Sequence, residues 1–253
     1  MDELQRPGGE LASRPLHFFW MVDCSGSMIS EGKIGIVNNA IQECIPEMAA
    51  EADNNPNAQL LVRALQFSTG ASWITANPVP VEDYAWEALE AGGVTDMGKA
   101  FELLAAQLGI PPMPTRALPP VIVLLSDGQP TDDYKKGLDK LKALPWFKKS
   151  VKIAISIGQD ADDEVLYEFT GNRELILQSN NPTALVRNIK WASTTASMVS
   201  APSSKPMNID DASKASASAS ENDPFAPANN GAPLILDMSN IPNPDDFDEG
   251  AVW

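Results

Sequence analysis

Apolar residues along this chain come in two rhythms, and the rhythms alternate. Leu16 to Val22 is a nearly unbroken greasy run, interrupted only by His17, and reads as a strand with both faces buried. Ile34, Val37, Ile41, Ile45 and Met48 then recur at three- and four-residue spacings, the stripe of an amphipathic helix. Leu60 to Phe67 is a second strand. The run Ala71 to Thr75 follows so closely that only a hairpin connects the two, which predicts an antiparallel pair at a sheet edge. Met97, Ala100, Phe101, Leu104 and Leu108 mark another helix. Val121 to Leu125 is the greasiest run and reads as a central strand. Val151 to Ile157 and Leu175 to Leu177 supply two more strands, with a helix around Asp163 to Phe169 between them, and a last helix carries Leu185, Ile189, Ala192, Ala196 and Val199. Strand and helix in alternation predict an α/β fold: a doubly wound, Rossmann-like three-layer sandwich whose mostly parallel sheet has one antiparallel edge strand.

The rhythm stops near residue 200. Residues 1–14 read as a flexible leader, 15–200 as one domain, and 201–253 as a disordered tail. The tail contains the low-complexity stretch Ala212 to Ser220 and carries nine acidic residues against two lysines, too polar to offset its ordering entropy. Two apolar islands lie within it, Pro233-Leu234-Ile235-Leu236-Asp237-Met238 and Phe247 to Trp253. They read either as tethered recognition peptides or as parts of a plain solubilising tail.

Charge narrows the choice of partners. A formal net charge of −16 argues against nucleic acid and anionic membrane surfaces, leaving proteins and cations. No apolar run reaches membrane-spanning length, and the first residues lack the order of a signal peptide, so a cytoplasmic protein is expected. Cys24 and Cys44 are too far apart along the first strand and helix to pair, and two free thiols fit a reducing compartment.

The chemistry concentrates where strands end. Asp23-Cys24-Ser25-Gly26-Ser27 leaves the first strand, and puts a carboxylate and two hydroxyls at alternating positions on one turn. Oxygen-only donors suit a hard cation such as Mg²⁺, with Mn²⁺ or Ca²⁺ as further candidates, better than zinc or copper. The competing reading of this pentapeptide is ordinary turn and helix-capping chemistry. In an open parallel sheet, ligands collect at the carboxyl ends of strands where the order reverses. That rule adds Thr95, from the Gly92-Gly93-Val94-Thr95 loop, and Asp127, directly after the central strand.

Over residues 16 to 199 the chain resembles a von Willebrand factor type A domain with a metal-ion-dependent adhesion site, its metal positions filled by Asp23, Ser25, Ser27, Thr95 and Asp127. The loops Ser126 to Asp133, Gly92 to Gly98 and Ile157 to Asp162 further resemble bacterial TerY-type proteins, which are encoded beside tellurite-resistance or protein kinase and phosphatase genes. The resemblance implies a non-enzymatic cytoplasmic scaffold of a stress-response or phospho-signalling module. It implies that the hydroxyls touch the ion directly and the carboxylates act through water. The ion then stays electrophilic, and an acidic side chain of a partner, such as a kinase or phosphatase, completes its coordination.

An enzyme is the competing class. A serine hydrolase lacks a base: His17, the single histidine, lies six residues before Asp23 on the same strand, about 20 Å away, and reads as a packed strand residue. A Mg²⁺-dependent aspartyl-phosphate phosphohydrolase would use Asp23 as nucleophile with Lys33 or Lys99 on the phosphate, yet both lysines read as exposed helix residues. Asp96 reads as a helix cap, Asp132 and Asp133 as a solvated helix start, and Trp73 and Trp86 as packed edge aromatics or a contact surface. Asp245, Asp246 and Asp248 are tethered acids that could serve as ligands to the chain's own site.

Overall fold

A computed structural model describes residues 13–200 apart from 56, 128 and 160, with side chains as far as residue 194. The expected acidic tail, nearly all of the expected leader, and the side chains of Ala196 and Val199 lie outside the described residues.

The strands are β1 (Arg14–Asp23), β2 (Ala58–Ser68), β3 (Gly70–Trp73), β4 (Val79–Pro80), β5 (Val121–Ser126), β6 (Val151–Ile157) and β7 (Ile176–Ser179). The helices are α1 (Lys33–Asp53), α2 (Met97–Gln107), α3 (Tyr134–Ala143), α4 (Pro145–Lys149), α5 (Asp163–Thr170) and α6 (Pro182–Ser200). The sheet order is β3-β2-β1-β5-β6-β7, parallel from β2 to β7. β3 runs antiparallel to β2, as the short connection predicts, and β4 pairs antiparallel with the other end of β2. The order reverses between β1 and β5, so the crevice at their carboxyl ends is the switch point of a doubly wound sheet.

The two-residue period of β1 divides the core. Phe18, Trp20 and Val22 pack into the layer of Val37 and Ile41 of α1 and Leu185 and Ile189 of α6. Phe19 and Met21 point the other way, into the layer of Phe101 and Leu104 of α2, Leu138 of α3 and Phe169 of α5. The Trp20 indole N–H donates to Ser193 Oγ at 3.3 Å, tying the central strand to the last helix.

β4 and α4 were not legible as elements. β4 is two residues long. α4 is one short turn opened by Pro145, with Trp146 and Phe147 buried. α3 begins where Asp132-Asp133 suggested, but it buries only Gly137, Leu138 and Leu141. It lies close to α2 because both helices have glycine at the contact: a Cβ on Gly137 would run into the Gly98 carbonyl. Lys33 departs from expectation, being buried at the start of α1 rather than exposed. His17, Trp73 and Trp86 pack as expected. His17 stacks on Phe19, the Arg63 guanidinium lies 3.9 Å over the Trp73 ring, and the Trp86 indole donates to Asn38 Oδ1 at 3.1 Å.

Candidate metal centre

The first site loop is shaped by Asp23 itself. Its Oδ1 accepts from Ser25 N at 2.8 Å, an Asx turn that folds the chain back directly after the strand. Ser25 Oγ and Ser27 Oγ then lie 2.9 Å apart. The parallel pairing of Val22 with Leu125 sets Asp23 beside Ser126, whose hydroxyl donates to Asp23 Oδ2 at 2.6 Å. Asp127 is the next residue and is also buried.

Backbone bonds lock the second and third loops onto the first. Gly26 N donates to Gly93 O at 3.1 Å and Gly92 N to Cys24 O at 2.7 Å, so the Gly-Gly loop lies along the Asp23 turn. Gly93 has a φ of +81°, and a Cβ there would collide with Thr69 Oγ1, so only glycine suits this approach. Thr95 N donates to Thr131 Oγ1 at 3.0 Å while Thr131 N donates to Thr95 O at 2.9 Å, which joins the second loop to the third. Asp162 N donates to Asp127 O at 2.7 Å, so the turn before α5 steadies the third loop from the far side.

All five predicted site residues therefore sit at one end of the sheet, Asp23 as the last residue of β1 and the others on the turns that follow strands or precede helices. Asp23, Ser25 and Ser27 share a hydrogen-bonded cluster, and the loop of Thr95 is bonded to theirs through Gly92 and Gly93 and to that of Asp127 through Thr131. Ser25, Thr95 and Asp127 are buried and Ser27 is exposed, so the cluster opens to solvent on one side.

The donor set fits a hard divalent cation. Burial, and to a lesser degree the charge of Asp127, raise the Asp23 carboxyl to about 6, against the hydrogen bonds from Ser126 and Ser25 that lower it. Two neighbouring carboxylates withdrawn from water favour a positive charge between them. No group of three or more His, Cys, Asp or Glu side chains suited to a metal exists among the described residues. What the five side chains offer instead is two carboxylates and three hydroxyls, all oxygen. Cys24, inside the same turn, takes no part as a thiolate, since burial and then the Asp23 charge push it up to about 12.

Two residues that shape the site carried no assigned role from sequence, and two others take partners that differ from the expected ones. Ser126 holds Asp23 and Thr131 holds Thr95. Asp132, expected to be solvated, accepts from Gly98 N at 2.9 Å and Lys99 N at 3.1 Å, capping α2 from another segment. Asp96, expected to cap that helix, instead accepts from Gly70 N at 2.8 Å and from the Lys99 ammonium at 2.5 Å. All four lie in or beside the motif loops, but no spacing rule tells which distant N–H each will meet.

The architecture is the von Willebrand factor type A fold. Among solved structures, the chain is similar to the ArnB paralog VWA2 from Sulfolobus acidocaldarius, with 19% identity, TM-score 0.53, and coverage of 70% of this chain and 44% of that one. It is similar to a von Willebrand factor type A protein from Catenulispora acidiphila, with 15% identity, TM-score 0.55, and coverage of 73% and 43%. Proximal thread matrix protein 1 from the mussel byssus, solved with a zinc-occupied adhesion-site motif, matches at 18% identity, TM-score 0.52, and coverage of 72% and 48%. The chain thus spans less than half the length of each of these structures. No protein-family model matches the chain, and no curated protein matches it. Among the described residues, no helix is long and apolar enough to cross a membrane.

Proposed function

We propose that this domain is a metal-dependent protein-binding module, with Asp23, Ser25, Ser27, Thr95 and Asp127 holding a divalent cation, Mg²⁺ in the first instance. The observation that carries the reading is the mutual locking of three oxygen-bearing loops at the switch point between β1 and β5. A bound cation would supply an electrophilic centre for a carboxylate from another protein. The chain's own residues do the rest. The Asx turn and Ser126 orient Asp23, Thr131 orients Thr95, and the exposed Ser27 leaves one side of the cluster open to a visitor.

The rim indicates what that visitor looks like. Ile29 is 60% exposed two residues after Ser27, and Val94 is 45% exposed one residue before Thr95. Each lies within two residues of a proposed ligand, which supports reading both as part of the contact surface. The partner presents an acidic side chain with apolar neighbours.

The module is non-enzymatic in this reading. Lys33 is buried at the start of α1 and Lys99 is ion-paired with Asp96, which supports this reading over an aspartyl-phosphate mechanism through Asp23. The resemblance of the loops to TerY-type proteins supports a kinase or phosphatase as partner and a cytoplasmic stress-response or phospho-signalling role. Titrating Mg²⁺ calorimetrically into the full chain and into Asp23→Ala and Asp127→Ala tests the metal. Saturable binding lost in both variants is expected; equal heats in all three proteins would overturn the proposal.

A further inference from the structure

A groove among the described residues lies away from the proposed metal site. It has a volume of about 580 Å³ and runs between the first halves of α1 and α6, with Ile36, Ala40, Pro182 and Val186 as its apolar part and Asn39, Glu43, Thr183 and Arg187 as its polar part. The groove is shallow and open to solvent, a surface for an extended segment to lie along rather than an enclosed pocket.

We propose that this groove is the docking site of the chain's own segment Pro233–Met238. Chemistry selects that segment. Residues 234–236 are Leu-Ile-Leu, an uninterrupted aliphatic triplet suited to the apolar part of the groove, and Asp237 follows with a carboxylate for its Arg187 edge. Of the nine acidic residues beyond 200, Asp237 is the one with a large apolar neighbour on each side. Across the groove, Glu43 lies 3.5 Å from the Lys190 ammonium, which offsets the charge that would repel Asp237.

Covalent connection favours the chain's own segment over a foreign one. It continues from α6, the helix that forms one wall. Returning from Ser200 to Pro182 means retracing about 27 Å at 1.5 Å per residue. The connection of residues 201–232 spans on the order of 100 Å when extended. Tethering also gives the segment an effective concentration on the order of millimolar, enough for a small apolar contact to be populated.

The test uses the full chain and a fluorescent synthetic peptide of residues 230–240. Leu234→Asp with Leu236→Asp should vacate the groove, and the labelled peptide should bind that variant at least tenfold more tightly than wild type, read by anisotropy. Adding Arg187→Glu should weaken the peptide at least fivefold, and a peptide carrying Asp237→Arg should restore it. This charge swap involves an exposed side chain and does not depend on a core substitution that might unfold the domain. In a second arm, Thr183→Cys with Met238→Cys should oxidise to a disulfide within one chain at micromolar protein, since Cys24 and Cys44 are buried. Failure of the peptide to bind the vacated chain, or binding indifferent to Arg187, would overturn the proposal. Disulfides formed only between chains would overturn it too, and assign the groove to a second copy.

Discussion

Thr131 and Thr95 grip one another from separate loops: the N–H of Thr131 donates to the carbonyl of Thr95, and the N–H of Thr95 donates to the hydroxyl of Thr131, at 2.9 and 3.0 Å. This exchange satisfies the backbone of a proposed ligand on both sides without using its side chain. Thr131→Val keeps the shape and one bond but leaves the buried Thr95 N–H without its acceptor. It should cost about 1 kcal/mol of stability. Mg²⁺ affinity should fall by about tenfold, the loss expected when a group that orients a ligand is removed. Chemical denaturation and calorimetry would read the two effects separately.

Ser126 plays the corresponding part for Asp23. Ser126→Ala should lower Mg²⁺ affinity by about 10- to 100-fold while leaving the fold intact. Metal stabilises a native state by mass action, about 2.7 kcal/mol at a free concentration one hundred times Kd. Thermal scans with Mg²⁺ and with EDTA should therefore differ for the wild type, differ less for Ser126→Ala at the same concentration, and coincide for Asp127→Ala. Coincident wild-type scans at millimolar Mg²⁺ would count against the metal.

The contact between α2 and α3 fixes the distance between the second and third loops. Gly137→Ala would drive a methyl group into the Gly98 carbonyl and against Phe101 Cβ at 3.1 Å. The expected cost is about 1–3 kcal/mol, the range for overpacking a tight interface. Because the displaced helices carry the Asp132 cap and Thr131, Mg²⁺ binding should weaken with stability. A fully stable Gly137→Ala protein with wild-type Mg²⁺ binding would show that this contact does not position the loops.

His17 is buried in β1 with neither ring nitrogen hydrogen-bonded, and burial lowers its pKa from 6.5 to about 4. The folded protein holds it neutral, whereas the unfolded chain protonates it below pH 6.5. Stability from this group is thus fully present above pH 6.5 and is lost as pH falls from there towards 4. The loss is on the order of 3 kcal/mol at 1.36 kcal/mol per pKa unit. Replacing His17 with Phe should flatten this part of the pH–stability curve, which urea melts between pH 4 and 7 would reveal.

Ile29 and Val94 should matter to partners and not to the ion. Ile29→Ser with Val94→Ser is expected to leave Mg²⁺ affinity and melting temperature within error, since both side chains already face water. A phage-displayed random-peptide library panned with Mg²⁺ should yield acids flanked by apolar residues on the wild type, and should lose that flanking preference on the double variant.

Much of this could be read from the residues in order. The apolar run of β1, the stripe of α1 and the five-residue core of β5 each state their structure locally, because burial on two faces or on one leaves its own period. Asp23, Ser25 and Ser27 were legible for the same reason: they occupy one turn. Thr95 and Asp127 could be added because a doubly wound sheet gathers its strand ends. β4, two residues long, was too short for any period to show.

The sequence by itself determined the layers and the end of the sheet where the five oxygen-bearing residues gather, since each depends on residue type and near neighbours. Only the tertiary structure decided who holds whom: Ser126 on Asp23, Thr131 on Thr95, Asp132 on the first turn of α2 while Asp96 turned to Gly70. Each of those bonds joins a short polar side chain to a group 26 to 103 positions away. A carboxylate or hydroxyl accepts from any buried N–H or O–H within reach. Packing sets which one is in reach, and no local pattern records it.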